Sequence, residues 1–230
     1  MTEDTWLQVD RFFSDLLVPR DAALDGALAR SVAAGLPDIQ VAPTQGMLLH
    51  LLALTQGARR ILEIGTLGGY STIWLARALP PGGKVVTIEV EPSHAVVARQ
   101  NLMDAGVADR VDLREGAAQD VLPRIAAESG DPFDFVFIDA DKRSTPAYFT
   151  WALRLARTGS LIVVDNVVRR GRLIDAQSDD PDVQGMRRFL RDLAQEKRVR
   201  ATAMQTVGSK GYDGFALALV LPEGQPGQEG

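Results

Sequence analysis

Between residues 60 and 165, short apolar runs rich in β-branched side chains alternate with segments whose apolar positions recur at helical spacing. The alternation predicts a parallel sheet covered by helices on both faces. Strands are expected at 60–65 (RILEIG), 84–91 (KVVTIEVE), 110–116 (RVDLREG), 133–139 (FDFVFID) and 160–165 (SLIVVD), and their apolar continuity suits burial on both faces. Helices are expected between them at 71–79, 92–105, 118–129 and 146–157, with Pro92 and Pro146 at starts and Gly106, Gly130 and Gly159 past the ends.

Downstream, 181–197 carries Val183, Met186, Phe189, Leu190 and Leu193 at helical spacing. Two further strands at 199–207 and 212–221, joined by GSKG, predict an antiparallel hairpin. The fold class is therefore α/β: a doubly wound, seven-stranded, mostly parallel sheet forming one domain over 1–221. Ahead of it, WLQVDRFFSDLL and DAALDGALARSVAAG read as two amphipathic helices in a 1–40 segment suited to a lid or an oligomer contact. Trp6, Phe12 and Phe13 are expected to pack helices or a dimer rather than touch an acceptor. The tail at 222–230, PEGQPGQEG, has nothing to bury and is expected to be disordered.

Composition narrows the chemistry. With 230 residues and 46% hydrophobic content the chain can bury one full core. It has no cysteine, which removes disulfides, thiolate metal sites and cysteine nucleophiles together and leaves oxygen ligands or two histidines for any metal. His50 and His94 fall within helical segments, where a structural role is expected. The acidic start MTEDTWLQVD is unlike a secretory leader, and no apolar run is long enough to span a bilayer, so a cytoplasmic location and no membrane partner are expected. A net charge of −5 argues against nucleic acid as the main partner. The local basic cluster VVRRGR (167–172) is expected to be a solvated loop.

LEIGTLGGYST (62–72) is a strand entering a glycine turn and then a helix, a geometry that offers backbone N–H groups to a ligand. It departs from the dinucleotide fingerprint, because position 67 is Leu67 and the glycines after Gly65 fall at Gly68 and Gly69. Glu63 lies where a pyrophosphate would meet negative charge, and Glu89, ending the next strand, is placed to take two ribose hydroxyls. Together they favour a nucleoside over an empty turn. Ser71 opens the helix, with capping, ligand binding or both open to its hydroxyl.

FVFIDADK (135–142) and LIVVDN (161–166) end apolar strands in acids. Ligands of open α/β sheets bind beyond the carboxyl ends of the strands, so Asp139, Asp165 and Asn166 are expected to converge there. Two carboxylates 4–5 Å apart repel by roughly 3–4 kcal/mol at an effective dielectric near 20, so a buried pair calls for a cation. Hard oxygen donors suit Mg²⁺. Lys142 lies within reach as a general base or counter-charge, and Asp141 either orients it or faces solvent.

LEIGTLGGYST, TIEVE, REGAAQDVLP, FVFIDADK and IVVDNV together resemble the cation-dependent O-methyltransferase family that includes catechol and caffeoyl-CoA O-methyltransferases. The resemblance runs from about residue 41 to 166 and continues through VGSKGYDGFALALV. It implies a class I, Rossmann-like, S-adenosylmethionine-dependent fold. Glu63 and the turn from Gly65 through Thr66, Gly69 and Tyr70 to Ser71 would then hold the methionine part. Glu89 would hold the ribose, Ala118 and Gln119 the adenine edge, and Val41 and Asp139 would border the cofactor. Asp139, Asp165 and Asn166 would bind Mg²⁺ and Lys142 would be the base, acting on a small catechol-like aromatic acceptor in a homodimer. The acceptor site would be lined by the N-terminal helices and 169–182. A nicotinamide-dependent oxidoreductase and a non-catalytic nucleoside-binding domain are the alternatives.

Overall fold

The computed structural model describes residues 2–128 and 130–224. The chain runs α1 (Glu3–Leu17), α2 (Ala22–Ala33), α3 (Pro43–Thr55), β1 (Arg60–Ile64), α4 (Tyr70–Ala78), β2 (Lys84–Glu89), α5 (Pro92–Asp104), β3 (Val111–Glu115), α6 (Ala118–Ala127), β4 (Phe133–Ile138), α7 (Thr145–Leu155), β5 (Ala156–Asp165), α8 (Pro181–Gln195), β6 (Val199–Gly208) and β7 (Gly211–Val220). The strands form one sheet in the order β3-β2-β1-β4-β5-β7-β6. β1 pairs in parallel with both β2 and β4, while β7 is antiparallel to β5 and β6. Strand order therefore reverses between β1 and β4, the place where such sheets open a ligand crevice.

Two cores follow from the two-residue period of the strands. Ile61, Phe135 and Phe137 point into the face covered by α2, α3, α4 and α5. Leu62, Ile64, Val136 and Ile138 point into the face covered by α6, α7 and α8. Phe133, Phe135 and Phe137 are fully buried, each such ring stabilising the fold by about 1.5–3 kcal/mol. α1 buries none of its residues, and Phe12 and Phe13 are exposed. It is held instead by Asp10, whose carboxylate accepts from Thr44 Oγ1 at 3.0 Å and from the Ser209 N–H at 2.8 Å.

The expected elements are present, with ends differing by a few residues. The largest difference is at β5, which starts at Ala156 where a helix to residue 157 was expected. Gly159, read as a helix stop, lies inside the strand at φ 85, where the pairing with β4 shifts register. The Ser160 hydroxyl secures the irregular stretch by accepting from the Arg157 N–H and donating to the Phe133 carbonyl. Of the tail expected to be disordered, 225–230 lie outside the described residues, as does Ser129 at the expected end of α6.

Candidate active site

Gly65, just past β1, has φ 101, and a Cβ there would stand 2.0 Å from the Asp139 carbonyl oxygen. Only glycine lets the ends of β1 and β4 meet so closely. The turn continues through left-handed backbone at Leu67 (φ 49) and at Gly69 (φ 79), which caps α4. Leu67 thus keeps the left-handed step without glycine. The N–H groups of Thr66 and Leu67 donate to Glu89 Oε2 at 3.2 and 2.7 Å, and that of Glu91 donates to Oε1 at 2.9 Å. Donors that could cradle a diphosphate are taken by a carboxylate, which accounts physically for the broken dinucleotide fingerprint.

Glu63 lies sealed beneath this turn. Ser71 Oγ donates to its Oε1 at 2.7 Å, and Thr72 and Thr87 Oγ1 donate to Oε2 at 2.5 and 2.6 Å. Burial pushes its pKa up to about 7 against the pull of these hydroxyls. The Ser71 hydroxyl therefore does not cap α4; it serves Glu63.

A cavity of about 600 Å³ opens at the switch point. Val41, Gly65, Thr66, Tyr70, Ser71, Glu89, Ala118, Gln119 and Asp139, all expected beside the cofactor, line it. Two others do not: Glu63 is fully buried below, and Gly69 serves the backbone of the turn. Lys142 and Asn166 share the wall with Asp139.

Lys142 is buried, and its Nζ donates to Asp139 Oδ1 at 2.7 Å. Asp165 is buried as well, accepting from Gln45 Nε2 and from the Asn166 N–H, each at 2.8 Å. Burial first and the Asp139 carboxylate second push the Asp165 pKa up to about 7. Asn166 holds φ 57, the left-handed region that asparagine enters more readily than other non-glycine residues. Asp165 faces a smaller hollow of about 270 Å³ reaching the β6–β7 turn, and Asn166 borders both spaces. Among the described residues no three His, Cys, Asp or Glu side chains group to hold a metal, so a cation here would have two carboxylates and one amide. That all-oxygen set, with Lys142 as the cation paired to Asp139, fits a hard divalent cation.

Several participants escaped the sequence reading. His94 lines the cavity, with Nδ1 3.5 Å from Glu89 Oε1, whereas His50 stays structural against Trp74. Asp141 does not orient Lys142; it accepts from the Ser144 N–H at 3.1 Å and from Tyr148 Oη at 2.5 Å. Burial raises and these bonds lower its pKa, with the bonds prevailing. Tyr148 and Arg143 bring 143–149 to the cavity, and Arg169 and Asp182 bring the two ends of 169–182. The basic cluster is thus solvated at Arg170 but not at Arg169.

A doubly wound sheet in this strand order, with its cavity at the switch point and a carboxylate drawing in the glycine turn, defines a class I methyltransferase. A sequence model of the O-methyltransferase family matches residues 22–223, and the chain belongs to that family. It is an S-adenosylmethionine-dependent O-methyltransferase, which displaces the oxidoreductase alternative. It is 58% identical over 212 residues to a catechol O-methyltransferase of Mycobacterium tuberculosis, covering 92% of this chain and 94% of that one. A catechol O-methyltransferase of Niastella koreensis is 50% identical, over 96% of this chain and all of its own length (100%). The crystal structure of an O-methyltransferase from Bacillus cereus in complex with SAH matches at a TM-score of 0.94 and 57% identity, covering 95% of this chain and 100% of that chain. No helix among the described residues is long and apolar enough to cross a membrane.

Proposed function

We propose that this enzyme is a Mg²⁺-dependent catechol O-methyltransferase, moving a methyl group from S-adenosylmethionine to one of two vicinal hydroxyls on a small aromatic ring. The observation that carries the reading is the oxygen set of Asp139 and Asn166 on the cavity wall with buried Lys142 paired to Asp139, and of Asp165 on the adjoining hollow, close enough for the Asp139 carboxylate to raise its pKa. The names of the Mycobacterium tuberculosis and Niastella koreensis relatives support the acceptor class. Held by Asp139, Asp165 and Asn166, a divalent cation would supply Lewis acidity toward a hydroxyl oxygen.

The chain's own residues do the rest. Glu89, pinned by three N–H groups, presents its carboxylate to the ribose hydroxyls, with Ala118 and Gln119 at the adenine edge. Val41 and the turn from Gly65 to Ser71 hold the methionine part, and Glu63 fixes that turn from below. Lys142 Nζ is the base that accepts the proton of the acceptor hydroxyl. The oxygen takes the methyl from the sulfonium and leaves a thioether, with the positioning of both reactants supplying much of the acceleration. The enzyme works in the cytoplasm, and it does so as a homodimer, the second point being supported by the exposed Phe12, Leu16 and Leu17 of α1 and testable by sedimentation. Mass spectrometry of a catechol mixture incubated with S-adenosylmethionine, with and without Mg²⁺, tests reaction, metal and acceptor together. Undiminished turnover after complete metal removal would overturn the metal assignment.

A further inference from the structure

The loop after β5 turns back over the cavity under unusual restraint. Asp213 on β7 accepts from the N–H groups of Val168 and Arg169 at 2.9 and 3.0 Å, and Arg169 and Arg170 both have φ 55. Left-handed backbone at non-glycine residues persists only where the surroundings hold it, and it often marks a functional segment. Here it sends adjacent arginines to different places. Arg170 is exposed, whereas Arg169 lines the cavity with its side chain 22% exposed.

A guanidinium offers five N–H donors. That of Arg169 makes one loose ion pair, Nη2 to Asp182 Oδ2 at 3.4 Å, and its Nε is buried without a partner. The other buried, unpartnered side-chain nitrogens among the described residues are on Arg60, Trp74 and Arg187, and none of those residues lines either cavity. The remaining cations on the wall differ: Lys142 is paired with Asp139 at 2.7 Å, and Arg143 is 70% exposed. Arg169 is the half-buried cation of the wall whose hydrogen bonding is left incomplete.

We infer that Arg169 is a specificity-determining residue that binds a carboxylate carried by the acceptor, so that the preferred substrates are dihydroxyphenyl acids rather than neutral catechols. The inference rests on the acceptor class proposed above. A planar carboxylate matches the guanidinium fork with two parallel hydrogen bonds, and a neutral ring leaves it unmatched. Arg169 follows Asn166 by three residues on the strand end that carries Asp165, whereas the nucleoside wall is built from β1, β2 and the start of α6. Asp182 orients the guanidinium and competes for it.

The test compares kcat/KM for 3,4-dihydroxybenzoate and 4-methylcatechol, the KM for S-adenosylmethionine, and calorimetric affinity for 3,4-dihydroxybenzoate. The proteins are wild type, Arg169→Gln, Arg169→Gly, Asp182→Asn and Arg170→Gln. Arg169→Gly relieves the left-handed backbone and so keeps the fold testable. The acid-to-neutral ratio should fall roughly 10- to 100-fold in both Arg169 variants, rise in Asp182→Asn and hold in Arg170→Gln. An unchanged ratio, or an effect confined to the KM for S-adenosylmethionine, overturns the inference, the latter by assigning Arg169 to the donor's own carboxylate. If wild type methylates neither catechol, the acceptor reading fails by itself. Calorimetry then decides about Arg169, because equal acid affinity with and without the guanidinium refutes it and a loss supports it.

Discussion

Glu63 and Asp165 are both carboxyl groups pushed up to about 7, by burial first in each case, yet they end in opposite situations. Glu63 receives three hydroxyl donors, borders neither cavity and is complete. Asp165 receives an amide and one backbone N–H, faces a hollow, and has the Asp139 carboxylate as the second cause of its shift. A raised pKa therefore marks burial in both, and only Asp165 also opens on a hollow. What separates them is whether lone pairs left over after the protein's own hydrogen bonds face a space that a ligand can enter.

Removing the two acids should pull them further apart. Asp165→Ala should lower turnover by about 10³-fold, the scale of several kcal/mol of lost charge stabilisation, while the melting temperature holds or rises because a repulsion with Asp139 is gone. Turnover with a catechol and a thermal melt on one preparation check both halves; a large drop in melting temperature would place Asp165 with Glu63 as a structural acid.

Next in size, Gly65→Ala should destabilise the fold by about 3 kcal/mol or more, since its Cβ meets the Asp139 carbonyl at 2.0 Å and its backbone is left-handed. Urea titration measures this.

Glu63 should impose a pH dependence of its own. The folded protein keeps this proton up to about 7, whereas an unfolded chain releases it near the ordinary glutamate value of 4.5. The contribution is complete below the lower value and is lost as pH rises through the upper, on the order of 3 kcal/mol. Asp165 acts in the same direction, so the Glu63 share is the difference between wild type and Glu63→Gln in stability measured across that interval. Parallel curves would remove Glu63 as the cause.

The smallest expected effect is Tyr148→Phe. It removes the 2.5 Å bond to Asp141 but leaves the Ser144 N–H in place, for a loss of about 1–2 kcal/mol by denaturant titration.

The strands were readable because burial on both faces leaves short, mostly apolar runs of strand length bounded by turn residues, as at Phe133–Ile138. β5 was readable only from Ser160, since its first residues, Ala156 to Gly159, carry a register shift and a left-handed glycine rather than an apolar run. Asp139, Asp165 and Asn166 stood out because each interrupts or follows such a run, a local signal. Gln45 reaches Asp165 across 120 positions, and Asp213 reaches Val168 across 45. No spacing rule connects residues so far apart, and only the assembled sheet brings them together. The place of Arg169 was hidden for a related reason: its sequence context is a basic loop, and its backbone is fixed by Asp213 on another strand.

The meeting of Gly65 with the Asp139 carbonyl sets a mechanical limit. The turn proposed to hold the donor and the strand end proposed to border the acceptor abut through main chain, and the Asp139 N–H is bonded to the Ile64 carbonyl at 2.9 Å. No flexible side chain sits at this joint to take up slack. On the proposed reading the two halves of the reaction stand on one rigid footing, so substitutions around the cavity should alter which molecules enter while leaving the span between the two footings fixed by the backbone.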